Sequence, residues 1–312
     1  MTCSFFSSRK NFLVAGMFLA LISCKKSATT KDNSMLQVVT TTTMLTDLVT
    51  TIGGDAIHVN GLMGSGVDPH LYRASEGDVN KLFRADLVFY NGLHLEGKLV
   101  DIFEKMNTQN IHTVAVAHTL EKDKLIRSEY FASNYDPHIW FNIRFWKKIT
   151  LLVINTLKQS DPSNASVFEK NGQEFLQELN RLEQDIGKII EELPEEKRIL
   201  VTAHDAFNYF GNAYGFEVVG LQGLSTATEA GVQDVQKLSD FIITHKIKAI
   251  FVESSVPRKT IEALQAAVRS KGHNVTIGGT LYSDALGNPG TPEGTYTGMF
   301  RYNVNTIVNA LK

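Results

Sequence analysis

Asp161-Pro162-Ser163-Asn164-Ala165-Ser166-Val167-Phe168 opens a run that stops only at Leu193-Pro194, and the reading of that run decides the architecture. Asp161 can cap a helix, and Pro162 suits a first turn, where its missing N–H would go unpaired anyway. Apolar side chains recur at Phe168, Phe175, Leu179, Leu182, Ile186, Ile189 and Leu193. Steps of three, four and seven place them on one helical face. A continuous helix here would be about 45 Å long at 1.5 Å per residue, enough to join two lobes. Gly172 and Gly187 weaken it locally, so a break at either stays open.

Outward from this helix, strands and helices alternate on both sides. Before it, strands are expected at 37–42, 56–63, 86–90 and 113–117, and helices at 44–52, 75–83, 97–106 and 143–157. Ser75 is a candidate N-cap, and 119–135 looks irregular. After it, strands are expected at 198–203, 216–221, 248–252 and 274–277, with helices at 207–214, 229–245, 257–269 and 295–311. This order predicts two α/β lobes with mostly parallel sheets, joined by one long rigid helix. The expected division is 35–160, 161–194 for the helix, and 195–312.

The amino terminus reads differently. Arg9 and Lys10 precede an apolar run, Phe12 to Ile22, too short to span a bilayer. That is the layout of a secretory signal peptide, 1–23. Leu21-Ile22-Ser23-Cys24 resembles a bacterial lipobox, which makes Cys24 the expected lipidation site and 24–34 a polar tether. The other reading is a plain signal peptide with a chance cysteine. The only other cysteine, Cys3, lies within the signal, so no disulfide is expected. Processing would remove two basic residues and no acid. The whole chain of 312 residues carries a net charge of −2, with 43% hydrophobic and 21% charged residues. With no long basic run, nucleic acid is not an expected partner.

Val67-Asp68-Pro69-His70 and Asp136-Pro137-His138 repeat a tripeptide. Proline fixes its own φ and pushes the preceding residue toward extended backbone, so each is a stiff turn that aims one imidazole. The two either converge on one ion or are turn histidines that never meet. His204 follows a strand and Asp284 lies just past the last one. Ligands of open α/β sheets bind outside the carboxyl ends of strands, so two lobes facing each other would share one cleft. Three neutral imidazoles and a carboxylate, His70, His138, His204 and Asp284, suit a divalent first-row ion, zinc above all.

With these motifs in hand, the sequence resembles the metal-binding solute-binding proteins of zinc and manganese ABC importers, over nearly the whole mature chain. The matching motifs are Gly66-Val67-Asp68-Pro69-His70, Asp136-Pro137-His138-Ile139-Trp140, Thr202-Ala203-His204-Asp205-Ala206-Phe207 and Leu281-Tyr282-Ser283-Asp284-Ala285-Leu286-Gly287. Asn91-Gly92 with Glu96, and Ile250-Phe251-Val252-Glu253, match as well. The resemblance implies two lobes on one long helix, four metal ligands at the motif positions, and a permease partner. It also implies a lipid-anchored extracytoplasmic location, on the periplasmic face or the cell surface. Two departures bear on the metal. Many zinc-uptake members have a histidine-rich loop before the second ligand, and 119–135 has no histidine. Manganese receptors often have glutamate at the third ligand, where this chain has His204. Zn2+ is the first expectation, Mn2+ the second and Fe2+ the third.

The other histidines, His58, His94, His112, His118, His245 and His273, match no motif and read as surface or hydrogen-bonded. Asp205 and Glu253 sit at strand ends, where they either orient ligand imidazoles or are ordinary strand-end carboxylates. Trp140, Phe141, Trp146, Phe210 and Tyr282 read as packing residues. The expected function is a monomeric high-affinity metal receptor, not an enzyme. A secreted zinc hydrolase is the alternative, but it needs an open coordination position, and the chain lacks His-Glu-x-x-His. A surface adhesin role could coexist with transport.

Overall fold

The computed structural model describes residues 35–312 together with Met1, Thr2 and Ser4. The rest of the expected signal peptide, the tether and Cys24 lie outside the described residues. No helix among the described residues is long and apolar enough to cross a membrane.

Strands β1 (Leu36–Thr40), β2 (Ile57–Gly61), β3 (Leu87–Tyr90) and β4 (His112–Ala115) form one sheet in the order β2-β1-β3-β4. All its pairs are parallel. Its helices are α1 (Thr43–Gly53), α2 (Glu76–Arg84) and α3 (Val100–Thr108). Each side chain of this sheet meets a helix or a loop, which explains the continuous apolar run Leu87-Val88-Phe89 in β3, all buried. Ser75 is the α2 N-cap: its hydroxyl accepts the Asp78 N–H, and Asp78 reaches back to the Ser75 N–H in a capping box. Strand order reverses between β1 and β3, and the crevice beyond such a reversal is where open sheets bind ligands.

The second lobe holds β5 (Ile199–His204) paired with β6 (Glu217–Gln222), and β7 (Ala249–Glu253) paired with β8 (Thr276–Leu281), again parallel. Helices α6 (Asn208–Tyr214), α7 (Val232–Thr244), α8 (Lys259–Ser270) and α9 (Tyr296–Leu311) alternate with them. The last strand starts two residues later than periodicity suggests and runs to Leu281. Gly278 and Gly279 fall inside it, where β-propensity points the other way. The space there leaves little choice, because a Cβ at Gly278 would press on Ala310 and the Phe251 ring.

Between the lobes run α4 (Ile143–Ser160), a 3-10 turn (Pro162–Asn164) and α5 (Ala165–Glu191). Asp161 accepts the Ser163 N–H and caps that turn rather than the α-helix itself. The 27 residues of α5 form one α-helix through both glycines. Gly172 is where α5 touches α4: a Cβ there would overlap the Ile154 side chain. Phe168, Phe175, Leu179, Leu182 and Ile186 are buried as the spacing predicts. They join one apolar core that runs from Val38 and Leu48 of the first lobe to Phe251, Leu281 and Phe300 of the second.

Candidate metal centre

Both Asp-Pro-His turns are built the same way. The Asp136 Oδ1 accepts the His138 backbone N–H at 2.9 Å, and the Asp68 Oδ1 accepts that of His70 at 2.8 Å. This is the local turn that aspartate favours, and the proline locks it. Gly66, at φ +72°, supplies the left-handed residue that swings the chain from β2 into the first turn.

His70, His138, His204 and Asp284 come together: one ligand-type atom of each lies within 4.8 Å of all the others, and all four residues are buried. The Nε2 atoms of His70 and His138 are 3.2 Å apart. Asp284 places Oδ2 3.2 Å from His204 Nε2 and 4.0 Å from His70 Nε2, and Oδ1 3.6 Å from His138 Nε2. His70 lies eight residues beyond the end of β2, His138 caps a 3-10 turn (Ile139–Phe141), His204 is the last residue of β5, and Asp284 lies three past β8.

Behind the ring stand further carboxylates. Asp136 Oδ1 is 2.8 Å from His138 Nδ1, and Glu253 Oε2 is 2.6 Å from His204 Nδ1. The Glu253 contact is close but not aligned as a hydrogen bond, and both His204 ring nitrogens and Asp284 Oδ1 have no aligned partner among the described residues. Glu253 also accepts the His204 backbone N–H through Oε1 at 2.9 Å. Asp205, the other strand-end carboxylate, accepts the Gly220 N–H at 2.7 Å. The Asp136 contact with the imidazole is one that sequence reading missed. The available signal was the aspartate two residues before a histidine in a tight turn. Burial pushes the His70 imidazole down to about 3, and the nearby His138 and His204 add to this against the pull of Asp284. Burial also disfavours a charged His204, but Glu253 and Asp284 on either side outweigh it and hold its pKa well above the ordinary 6.5. Burial works against the Asp284 carboxylate too, yet the three imidazoles hold it well below the usual carboxylate range.

Several contacts tie the lobes around this ring. Thr226 donates its hydroxyl to Asp68 Oδ2 at 2.5 Å, and Tyr209 to the Asp136 carbonyl at 3.0 Å. Asn91 donates its amide to the Pro137 carbonyl at 3.0 Å. Its own N–H goes to the fully buried Glu96, which also takes the Thr41 hydroxyl and the Gly92 N–H. The Asn91-Gly92…Glu96 motif thus braces the His138 loop. Burial raises the Glu96 carboxyl above its ordinary range, and those three donors oppose the shift. Trp140, Phe141, Trp146 and Phe210 are buried, as packing residues would be. His58, His94, His112, His118 and His245 are exposed, and His273 lies 3.3 Å from the Ile247 carbonyl.

A family model described as "ZnuA: Zinc-uptake complex component A periplasmic" matches residues 38–310. The chain is 48% identical to the manganese-binding lipoprotein MntA of Bacillus subtilis, over 97% of this chain and 100% of that protein. It is 47% identical to the zinc-binding protein TroA of Treponema pallidum, over 88% of each. The solved structure of that periplasmic zinc-binding protein superposes with a TM-score of 0.87, covering 89% of this chain and 99% of the other. The four-residue ring thus lies in the cleft of an α/β fold shared with TroA, and the chain belongs to the ZnuA family of metal-binding solute receptors of ABC importers.

Proposed function

We propose that this protein captures one divalent transition-metal ion as cargo through His70, His138, His204 and Asp284, and hands it to an ABC permease. The observation that supports this most is the buried ring of three imidazoles and one carboxylate. Donors at about 2.0–2.1 Å from a tetrahedral ion lie roughly 3.4 Å from one another. The close donor pairs here, at 3.2, 3.2 and 3.6 Å, already approach that spacing. Asp136 and Glu253 act on the outer nitrogens, turning Nε2 of His138 and His204 toward the ion and raising their basicity. Four protein donors leave no coordination position for a catalytic water, which favours a receptor over a hydrolase.

Zinc is the preferred cargo, with Mn2+ second and Fe2+ third, because imidazole-rich sites suit zinc and carboxylate-rich ones manganese. Relatives at nearly equal identity bear the names of both metals. Cys24 carries the lipid that holds a monomer to the outer face of the cell membrane, a reading supported by the Leu-x-x-Cys ending and by a relative named as a lipoprotein. Residues 24–34 are the tether, 35–160 and 195–312 the two lobes, and 161–194 the linking segment.

The test is metal analysis of protein purified without added metal, followed by competition between zinc and manganese. One equivalent of metal is expected, with zinc bound more tightly. Replacing His138 with alanine should weaken binding, whereas replacing the remote His245 should not. Full-affinity binding by the His138→Ala variant would exclude this site.

A further inference from the structure

The segment that carries Asp284 changes hands. Tyr282 is held by the second lobe: its N–H donates to Asn303 Oδ1 at 2.9 Å, and its carbonyl accepts from Asn303 Nδ2 at 2.7 Å. One residue later the grip passes to the first lobe and its edge. The Trp140 indole N–H donates to the Ser283 carbonyl at 3.0 Å. Two residues beyond the ligand, Leu286 is gripped at both backbone polar atoms. Its N–H donates to Thr43 Oγ1 at 2.8 Å, and its carbonyl accepts the Ser65 hydroxyl at 2.9 Å. Farther on, the Tyr296 N–H donates to Asp47 Oδ2 at 2.8 Å, one helical turn along α1 from Thr43. Tyr296 returns its hydroxyl to the Trp140 carbonyl at 2.7 Å. By contrast, the second lobe's polar contacts on Ser283 and Asp284 come from one side chain, Ser255, at 2.9 Å and 3.4 Å.

We propose that Thr43, Ser65 and Trp140 are positioning residues for metal capture, which hold the backbone on both sides of Asp284 so that its carboxylate is presented to the ion as part of the first lobe, beside His70 and His138. This rests on the metal-site reading above. The reason is geometric. A carboxylate on a loop must be fixed closely before it can complete a coordination shell, and every degree of freedom left to it is lost on binding. The peptide groups next to Asp284 are buried, where an unpaired N–H or carbonyl is costly. Thr43 and Trp140 therefore fix the loop before the ion arrives. Asp284, sequentially part of the second lobe, would travel with the first.

The test uses the full chain in detergent, with zinc as the probe and release followed by a fluorescent chelator. Thr43→Val keeps the shape and removes the hydroxyl, Trp140→Phe removes the indole N–H, and Thr43→Ser restores the hydroxyl. Each of the first two should release zinc about tenfold faster, as expected for one lost hydrogen bond at a ligand loop, and Thr43→Ser should release it close to the wild-type rate. In metal-free protein the Leu286 amide should be protected from hydrogen exchange in wild type and Thr43→Ser, and unprotected in Thr43→Val. If Thr43→Val fails to fold, Trp140→Phe and Thr43→Ser decide. Folded Trp140→Phe and Thr43→Val that release zinc at the wild-type rate overturn the clamp. So does a Leu286 amide that exchanges freely in metal-free wild type. If His138→Ala binds zinc as well as wild type, the site reading fails instead.

Discussion

Asp136 and Glu253 are the residues that turn three histidines into a metal trap, and His204 shows how. In the metal-free protein its imidazole is flanked by Glu253 at 2.6 Å and Asp284 at 3.2 Å. Burial alone would keep it neutral, but the two carboxylates hold its pKa well above 6.5. A metal ion must displace that proton, because only the neutral imidazole offers a lone pair. His70 carries none to displace, since its pKa falls to about 3. Capture at pH 7 should therefore release about one proton, and affinity should rise roughly tenfold per pH unit as pH climbs toward the His204 value. Calorimetry in buffers of different ionisation enthalpy measures that proton directly. Release of none would mean that His204 is already neutral or is no ligand. The ligand types and their turns were legible in the sequence, because Asp-Pro-His is a local structure. The imidazole contact of Asp136 was equally local and went unread. The Thr226–Asp68 bond joins residues far apart in the chain, and only the closed fold brings them together.

At the scale of elements, the long helix was legible because its apolar stripe keeps one period from Phe168 to Leu193. What could not be read was the purpose of Gly172. Sequence reasoning sees a residue that costs a helix about 1 kcal/mol. The structure shows a contact point at which a methyl group would overlap the Ile154 side chain of α4. Two effects of opposite sign follow. Gly172→Ala gains helix propensity of about 1 kcal/mol but overpacks a close helix crossing, which costs about 1–3 kcal/mol. Overpacking should win in the wild-type background, lowering the thermal midpoint. In an Ile154→Ala background the obstacle is gone, and the same substitution should stabilise by roughly 1 kcal/mol. A denaturant cycle over the four proteins reads the sign. If Gly172→Ala destabilises equally in both backgrounds, the crossing with Ile154 is not what that glycine serves. The two ends of the last strand were misjudged for a related reason: glycines 278 and 279 look like a stop, yet serve close packing against α9 and β7.

For the whole molecule, the question is how far the lobes part when metal leaves. Two lobes with separate cores could swing on a hinge that absorbs large φ/ψ changes. Here one apolar core runs without interruption from β1 through α4 and α5 into β7, β8 and α9. Polar contacts tie α5 to elements on both sides: Asn171 donates to the Ile52 carbonyl at 3.1 Å, and Glu178 accepts the Thr297 hydroxyl at 2.7 Å. Residues 35–312 accordingly form one compact unit. Wide opening would cut through that core and expose apolar surface at about 25 cal/mol per Å2, and it would bend a 27-residue helix against its own hydrogen bonds. A few hundred Å2 of exposure would already cost several kcal/mol, comparable with the total stability of many domains. Metal exchange should therefore proceed by withdrawal of one or two ligand loops and a small tilt. Solution scattering of metal-free and metal-loaded protein should give radii of gyration that agree within error, both near about 19 Å for the folded part. Loss of metal should instead appear as faster hydrogen exchange confined to the loops around His70, His204 and Asp284. A metal-free form expanded by more than about 1 Å would mean that the shared core parts after all, and that α5 bends.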